Sequence, residues 1–432
     1  MAESTDPFGP LVTAALPFVK APWRRRAGVG LAAGLASLWL VISALVLTPA
    51  PSLALSDAQQ LVVESWRLVN QSYVDPQRFD AIHWKRLRQK ALEKPIHSSS
   101  DAYDAIEAML APIGDPYTRL LRPADWSVLQ ASTQGSVSGV GLQLGLRGED
   151  PAVLVIAPLE GSPAAEAGIS SGSELLSVDG QPALELGLEA TAARLRGVAG
   201  TRVLLSLKPP GGRPRELELV RRQVDLQPVR SRVIEHNGHR LGYLRISQFA
   251  EPVPTAVVEA LQGLEHEQIN GLVLDLRNNS GGLVSAGLAV ANALLDGAPI
   301  VETVNREGFA DAQQAGPGQL YAGPMVTLVN SGTASASEIL AGALQDNDRS
   351  PLLGDRTFGK GLIQTLIGLG GDGSGLAVTV ARYVTPSGRD IQDQGIEPDQ
   401  LLTTPEPLNP GGDNDGWLEQ ALNRLEASPD RA

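Results

Sequence analysis

The sequence predicts a multidomain α/β protein: a helical N-terminal region, then a small β-rich module, then a layered α/β domain. Three observations carry that expectation. At 432 residues the chain is too long for one core, so two or three domains are expected. The apolar spacing is helical up to about residue 134, turns to short β-like runs, and after Asp225 alternates strand with helix. Gly (46) and Pro (31) are plentiful while aromatics make up 4%, a composition of many turns and short strands.

Residues 1–54 stand apart. Arg24-Arg25-Arg26 precedes an apolar run, 27–47, and no charge appears before Asp57. Ser52-Leu53-Ala54 supplies small residues for a cut, so 1–54 reads as a secretory signal peptide. The 21-residue run is also long enough, as a helix, to cross a hydrocarbon core of about 30 Å, and an uncleaved membrane anchor is the other reading. Both leave the three arginines in the cytoplasm and everything downstream outside it.

The helical region is expected over 55–134. Val62, Val63, Trp66, Val69 and Tyr73 fall at helical spacing, Ser100 is placed to cap a second helix, and Gly114-Asp115-Pro116 breaks the pattern. The β-rich module is expected over 135–222, with strands at 153–156, 174–178, 203–208 and 216–220, a turn at Asp179-Gly180 and a helix near 187–196. The α/β domain is expected over 223–405, with strands at 241–246, 271–276, 325–329 and 376–382 and helices at 254–265, 283–294 and 336–344. A polar tail, 406–432, carries one short helix at 416–425.

Composition excludes some chemistry. A net charge of −13 without a basic face argues against a nucleic-acid partner. The absence of cysteine removes disulfides, a thiol nucleophile and Cys-ligated zinc. Five histidines (His83, His97, His236, His239 and His266) offer no metal-ligand set, and His236-Asn237-Gly238-His239 reads as a hairpin turn. No metal or organic cofactor is expected.

Asn330-Ser331-Gly332-Thr333-Ala334-Ser335-Ala336-Ser337-Glu338 joins an apolar strand to a helix. A serine at such a junction can present its hydroxyl beside free helix N–H groups, which suit a developing oxyanion. Ser335 with Glu338 is equally a capping box, which by itself only starts a helix. None of the histidines has an acid suitably placed to serve as the base of a triad. Lys360, between Gly359 and Gly361 and close to Phe358, Leu362 and Ile363, is the other base available. Desolvation would bring its amine toward neutrality, although Gly-Lys-Gly also suits a surface turn.

Thr333-Ala334-Ser335-Ala336-Ser337-Glu338 followed, 25 residues after Ser335, by Lys360 in Thr357-Phe358-Gly359-Lys360-Gly361 resembles the carboxy-terminal processing peptidases, Ser–Lys serine endopeptidases. Leu274-Asp275-Leu276-Arg277-Asn278-Asn279-Ser280-Gly281-Gly282, Asp372-Gly373-Ser374-Gly375, Val380-Ala381-Arg382-Tyr383, Gly395-Ile396-Glu397-Pro398-Asp399 and Gly114-Asp115-Pro116-Tyr117-Thr118-Arg119 agree with it, over about 57–402. The resemblance implies a crotonase-like α/β catalytic domain with Ser335 as nucleophile, Lys360 as general base and Gln364 holding the lysine amine. Four residues of extended chain span about 13 Å, so the segment 360–364 is expected to turn at Gly361. The backbone N–H groups of Gly281 and Ala336 are implied as the oxyanion hole. Ser280 stands where the family usually has proline, a change that frees the loop slightly. Asp346, roughly 16 Å along the helix from Ser335, reads as structural, and Ser337 is expected to bond backwards within the helix.

The β-rich module resembles a PDZ domain. The resemblance makes Gly139, Val140, Gly141 and Leu142 the loop that captures a peptide C-terminal carboxylate, although a Gly-rich hairpin reads the same way. Arg196 resembles an arginine tied to gating of the active site. The implied partners are protein or peptide C-termini; the anchor reading of 27–47 adds association with a membrane. The implied location is the periplasm or thylakoid lumen, where family members of the oxygenic-phototroph branch trim a photosystem II reaction-centre protein. The rival reading is a non-catalytic, PDZ-bearing quality-control adaptor.

Overall fold

The structure, a computed structural model, describes residues 55–427 except 148–150, 160, 171, 226 and 408. The expected signal or anchor, with 27–47, lies outside the described residues. Among the described residues no helix is long and apolar enough to cross a membrane.

Four helices open the fold: α1 (Asp57–Ser72), α2 (Gln77–Ala81), α3 (Trp84–Glu93) and α4 (Ser99–Leu110). Capping boxes start α1 at Ser56 with Gln59 and α4 at Ser98 with Asp101, so the second cap lies two residues before the expected Ser100. Ser98 wins because Asp101 sits three residues on and reaches back to its N–H (3.0 Å). After Gly114 comes β1 (Arg119–Leu121), then α5 (Pro123–Thr133). The apolar faces of these helices do not close on themselves. Val62, Val69, Ile106 and Met109 share one core with Leu369, Leu376 and Val378 of the α/β part, and β1 pairs antiparallel with the strand that carries Leu376. The chain boundary expected at residue 134 therefore does not separate two cores.

The β-rich module follows as β2 (Ser136–Gly139), β3 (Leu142–Arg147), β4 (Ala152–Pro158), α6 (Pro163–Glu166), β5 (Glu174–Val178), β6 (Gln181–Pro182), α7 (Ala183–Leu195), β7 (Arg202–Lys208), β8 (Arg215–Val220) and β9 (Arg222–Asp225). One sheet runs β3-β4-β5-β7-β8, with β6 on β5, over a core of Val140, Val153, Val155, Leu175, Val178, Leu205 and Leu207. β2 pairs with β9, so chain enters and leaves the module through a two-stranded neck. Asp179 and Gly180 take positive φ (49° and 76°), as the tight turn requires.

The α/β part comprises β10 (Val229–His236), β11 (His239–Ile246), α8 (Val253–His266), β12 (Gly271–Asp275), α9 (Val284–Leu294), β13 (Pro299–Asn305), β14 (Ala310–Gln314), β15 (Met325–Val329), α10 (Ala336–Asp346), β16 (Leu352–Gly354), β17 (Leu362–Gly368), β18 (Gly375–Val384), β19 (Gln400–Leu401) and α11 (Gly416–Glu426). The main sheet runs β10-β11-β12-β15-β16-β19, antiparallel only at the first hairpin, where Asn237 and Gly238 make the expected turn. β12 and β15 are buried at every position because helices cover both faces. Leu272, Leu274 and Val329 pack with α8, α9 and α10, while Val273, Val326 and Leu328 pack with Trp417, Leu418 and Leu422 of α11. The tail read as polar thus supplies a whole face of the core. A second sheet, β1-β18-β13-β14 with β17 also on β18, adds Ile300, Val301 and Tyr383 to the first of these cores.

Candidate active site

The site forms where β12 and β15, adjacent and parallel, both end. Ligand sites favour the carboxyl ends of such strands because the loops there leave in different directions. Asn330 laces the two loops together. Its side-chain oxygen accepts from the N–H groups of Asn278 (2.8 Å) and Gly332 (3.1 Å), and its amide donates to Asn278 Oδ1 (2.8 Å). The Thr333 hydroxyl donates to the Leu276 carbonyl at the end of β12 (2.9 Å).

Ser335 is the N-cap of α10 and sits at φ 56°, ψ −119°, a conformation a side chain adopts only under constraint. A sharp strand-to-helix turn of this kind presents a serine hydroxyl at the helix N-terminus. The constraint is Glu338, which is fully buried. One carboxylate oxygen accepts the N–H groups of Ser335 and Lys360, both at 2.9 Å; the other accepts the Gly359 N–H (2.7 Å) and the Thr357 hydroxyl (2.6 Å). A buried carboxylate survives only when its lone pairs are filled, and here the Ser335 segment and the Lys360 loop fill them together. The capping-box reading captured only the first of these bonds. The signal that could have found the rest was an acid three residues into an otherwise apolar helix, Ala336-Ser337-Glu338-Ile339-Leu340-Ala341.

Lys360 lies with its amine 4.7 Å from the centre of the Tyr117 ring. Burial holds its pKa below the usual lysine range and nearby Arg119 pushes the same way, against the opposing pull of Asp115 and Glu338.

Gly281 stands against the serine. A Cβ there would lie 2.9 Å from Ser335 Cβ and 2.8 Å from the Ala334 carbonyl, and φ is 99°, so only glycine fits. The Ala336 N–H has no hydrogen-bond partner among the described residues, as an oxyanion donor requires. The Gly281 N–H, in contrast, donates to Asn279 Oδ1 (3.0 Å). A buried N–H needs an acceptor, and an Asn two residues back is within reach of an Asx turn. Asn279 is itself fully buried, with its amide on the Ile246 carbonyl (2.9 Å).

Gln364 is placed differently from the expectation. The chain is already extended from Leu362 in β17, so no turn brings Gln364 back toward Lys360, and no hydrogen bond joins the two among the described residues. A bulge between Ile363 and Gln364 sets it opposite Thr379, to whose hydroxyl it donates (3.3 Å). The Ser337 hydroxyl donates to the Asn279 carbonyl (2.9 Å) rather than within its own helix. Asp346 is structural: it accepts from the Ser387 N–H (2.9 Å) and pairs with Arg389.

Behind the 278–282 loop lies a charged cluster that sequence reasoning quoted only as part of a motif. Arg277, fully buried, forks between Asp275 and Asp415 (2.6 Å to each), and Asp275 also meets Arg245 (3.0 Å) and the Tyr243 hydroxyl (2.7 Å). Burial works to raise the Asp275 pKa, but the two guanidiniums outweigh it and hold the carboxyl below its usual range.

In the β-rich module, the Val140 N–H of the expected carboxylate loop donates to the Leu195 carbonyl (3.3 Å). Gly141 takes φ 75°, and its carbonyl accepts the Ser162 hydroxyl (3.2 Å). Arg196 is exposed and its backbone bridges Gly139 beside the neck.

A family model described as peptidase family S41 matches residues 240–402, and a PDZ-domain model matches 154–209. The chain is 45% identical over 400 residues to a carboxyl-terminal-processing protease of Picosynechococcus sp., covering 91% of this chain and 96% of that relative. It belongs to peptidase family S41. This S41 peptidase is also 41% identical to a chloroplastic C-terminal processing peptidase of Tetradesmus obliquus, over 82% of this chain and 79% of the relative. Among solved structures it resembles a photosystem II D1 C-terminal processing protease, with a TM-score of 0.62, 38% identity, and coverage of 87% of this chain and 98% of that one. The S41 match encloses Gly281, Ser335, Lys360 and Gln364, and the chain is a serine peptidase with a PDZ domain.

Proposed function

We propose that this peptidase is exported and cleaves proteins close to their C-termini through an acyl-enzyme on Ser335, with Lys360 as the base. The observation that carries the reading is the Glu338 carboxylate, which ties the backbones of Ser335 and Lys360 to one oxygen atom. Neutral Lys360 takes the Ser335 hydroxyl proton as the serine oxygen attacks the scissile carbonyl. The Ala336 N–H and the Gly281 N–H, once released by Asn279, hold the oxyanion. The lysine ammonium then protonates the leaving amine, and water, deprotonated by the same lysine, releases the acyl group.

Export to a periplasm or thylakoid lumen is supported by Arg24–Arg26 ahead of the apolar run 27–47, and by relatives named from cyanobacteria and chloroplasts. The relative of known structure is named for the photosystem II D1 protein, and a protein of that kind is the substrate we infer. The PDZ domain, through Gly139–Leu142, would hold the substrate's terminal carboxylate.

The test uses the purified chain and a peptide ending in a free carboxylate. Ser335→Ala and Lys360→Arg should each lose roughly 10³-fold or more in kcat, since guanidinium cannot serve as a base. Turnover surviving in Ser335→Ala, or in Lys360→Arg, would overturn the mechanism. Amidating the peptide's C-terminus should raise KM, and equal use of the amidated peptide removes the carboxylate-capture role.

A further inference from the structure

The segment Gly114–Arg119 belongs to the helical region, yet it ends against the catalytic lysine. We propose that Tyr117 is a positioning residue for the general base, its ring face seating the Lys360 amine and stabilising the ammonium that forms when the serine proton is taken. The proposal rests on the Ser–Lys reading above.

The geometry has three parts. The Lys360 amine lies 4.7 Å from the Tyr117 ring centre, and among the described residues it has no hydrogen-bond or ion-pair partner. Lysine carries its charge on a long flexible stem, so an amine without a partner has no fixed place unless something packs against it. Gln364, which would otherwise hold it, is bonded to Thr379 instead.

Tyr117, in turn, is itself held. Asp115 accepts the Tyr117 N–H (2.9 Å), the Thr118 hydroxyl (2.7 Å) and the Thr379 hydroxyl (2.6 Å). Thr118 accepts the Thr379 N–H (3.0 Å), and Arg119 pairs with Ala377. The ring is therefore mounted on β18, the strand that also carries β17 and the lysine loop.

The chemistry follows from the ring's negative face, which attracts a cation and is indifferent to a neutral amine. Lys360 is neutral before proton transfer and charged after it, so the interaction strengthens along the reaction, as catalysis requires. Other charges face the same amine. Arg119 disfavours its protonation, whereas Asp115 on the same segment and Glu338 on α10 favour it. Asp393 acts on the Tyr117 side, and Asp75, Arg382 and Asp390 line the adjoining cleft of about 370 Å³. Because these groups stay in place, changing the ring alone isolates its part.

The experiment compares Tyr117→Phe, Tyr117→Leu and phenylalanines of increasing fluorination at position 117, which keep the ring's shape and progressively weaken its face. For each, kcat and KM are measured across pH, with a thermal melt as the fold control. Tyr117→Phe should match the wild type. Tyr117→Leu should lose roughly 3- to 30-fold in kcat at unchanged KM, and the acid limb of its kcat profile should move down by about 0.5–1 pH unit, because an ammonium without the ring is less stable. The fluorinated series should move the limb the same way in order of fluorine content, and it decides the matter if the leucine variant does not fold. An unmoved limb across that series, or a loss confined to KM, overturns the proposal. Lys360→Ala run alongside separates the two readings: if it stays active, the Ser–Lys assignment fails, and if it is dead while the ring series is silent, Tyr117 alone fails.

Discussion

The lysine side of the site and the oxyanion side are each tied down by one fully buried side chain, but the two ties differ in kind. Glu338 is a carboxylate and accepts four donors drawn from the Ser335 helix start and the Lys360 loop. Asn279 is neutral, and a single bond joins it to the Gly281 N–H. A buried charge with four donors has no cheap alternative arrangement, whereas one neutral amide bond can be exchanged for a bond to another oxygen at little net cost. On the proposed mechanism, the backbones of Ser335 and Lys360 are fixed before substrate arrives, and adjustment is left to the 278–282 loop that would meet the developing charge.

The sharpest way to break that contrast is Glu338→Ala. It strands buried donors and should cost about 3–5 kcal/mol of stability, by chemical denaturation, together with nearly all turnover. Stability within about 1 kcal/mol of the wild type would mean that the carboxylate does not hold the site together. Asn279→Ala should cost less, about 1–3 kcal/mol, and leave kcat within roughly tenfold, because the Gly281 donor is then free for the oxyanion. A loss in Asn279→Ala equal to that in Glu338→Ala would erase the distinction.

Lys360→Met sharpens the electrostatic side. Burial lowers the lysine pKa, so the unfolded chain binds the proton more tightly and the folded state is penalised wherever that proton is present. The penalty is full below the depressed pKa and gone above the ordinary value of 10.5. The inactive variant should therefore melt at a higher temperature than the wild type near neutrality, with the gain fading as pH rises toward 10.5. A pH-independent difference would point to packing instead. The smallest effect is expected far from the chemistry. In Gly141→Ala the new Cβ would meet Ser162 Cβ at 2.2 Å, and φ is positive. It should raise KM for long substrates and leave kcat for short peptides unchanged; a fall in kcat for short peptides would tie this loop to the chemistry itself.

Much of this was legible in the sequence. Strand–helix alternation after Asp225 and the Asn237-Gly238 hairpin follow from local rules, because periodicity and turn chemistry are written in consecutive residues, whereas the Ser335 and Lys360 segments stand out only through their resemblance to a family. What escaped depended on distant pairing. The helices of 57–110 look self-sufficient until Leu376 and Val378 enter their core, and Gln364 matches a motif while a bulge in the neighbouring strand decides where it points. The segment after Thr404 has a polar average, yet Trp417, Leu418, Ala421, Leu422 and Leu425 lie on one helical face, a pattern that composition hides.

The cluster around Arg277 ties the candidate site to α11. Two guanidiniums, Arg245 and Arg277, face two carboxylates, Asp275 and Asp415, and the fourth partner is the cap of α11. Without Asp415 the buried cluster would carry an excess positive charge beside the strand end that launches the 278–282 loop. Every residue placed at the candidate site precedes Asp415 in the chain, so a chain cut before α11 would carry them all and still lack the carboxylate that balances Arg277.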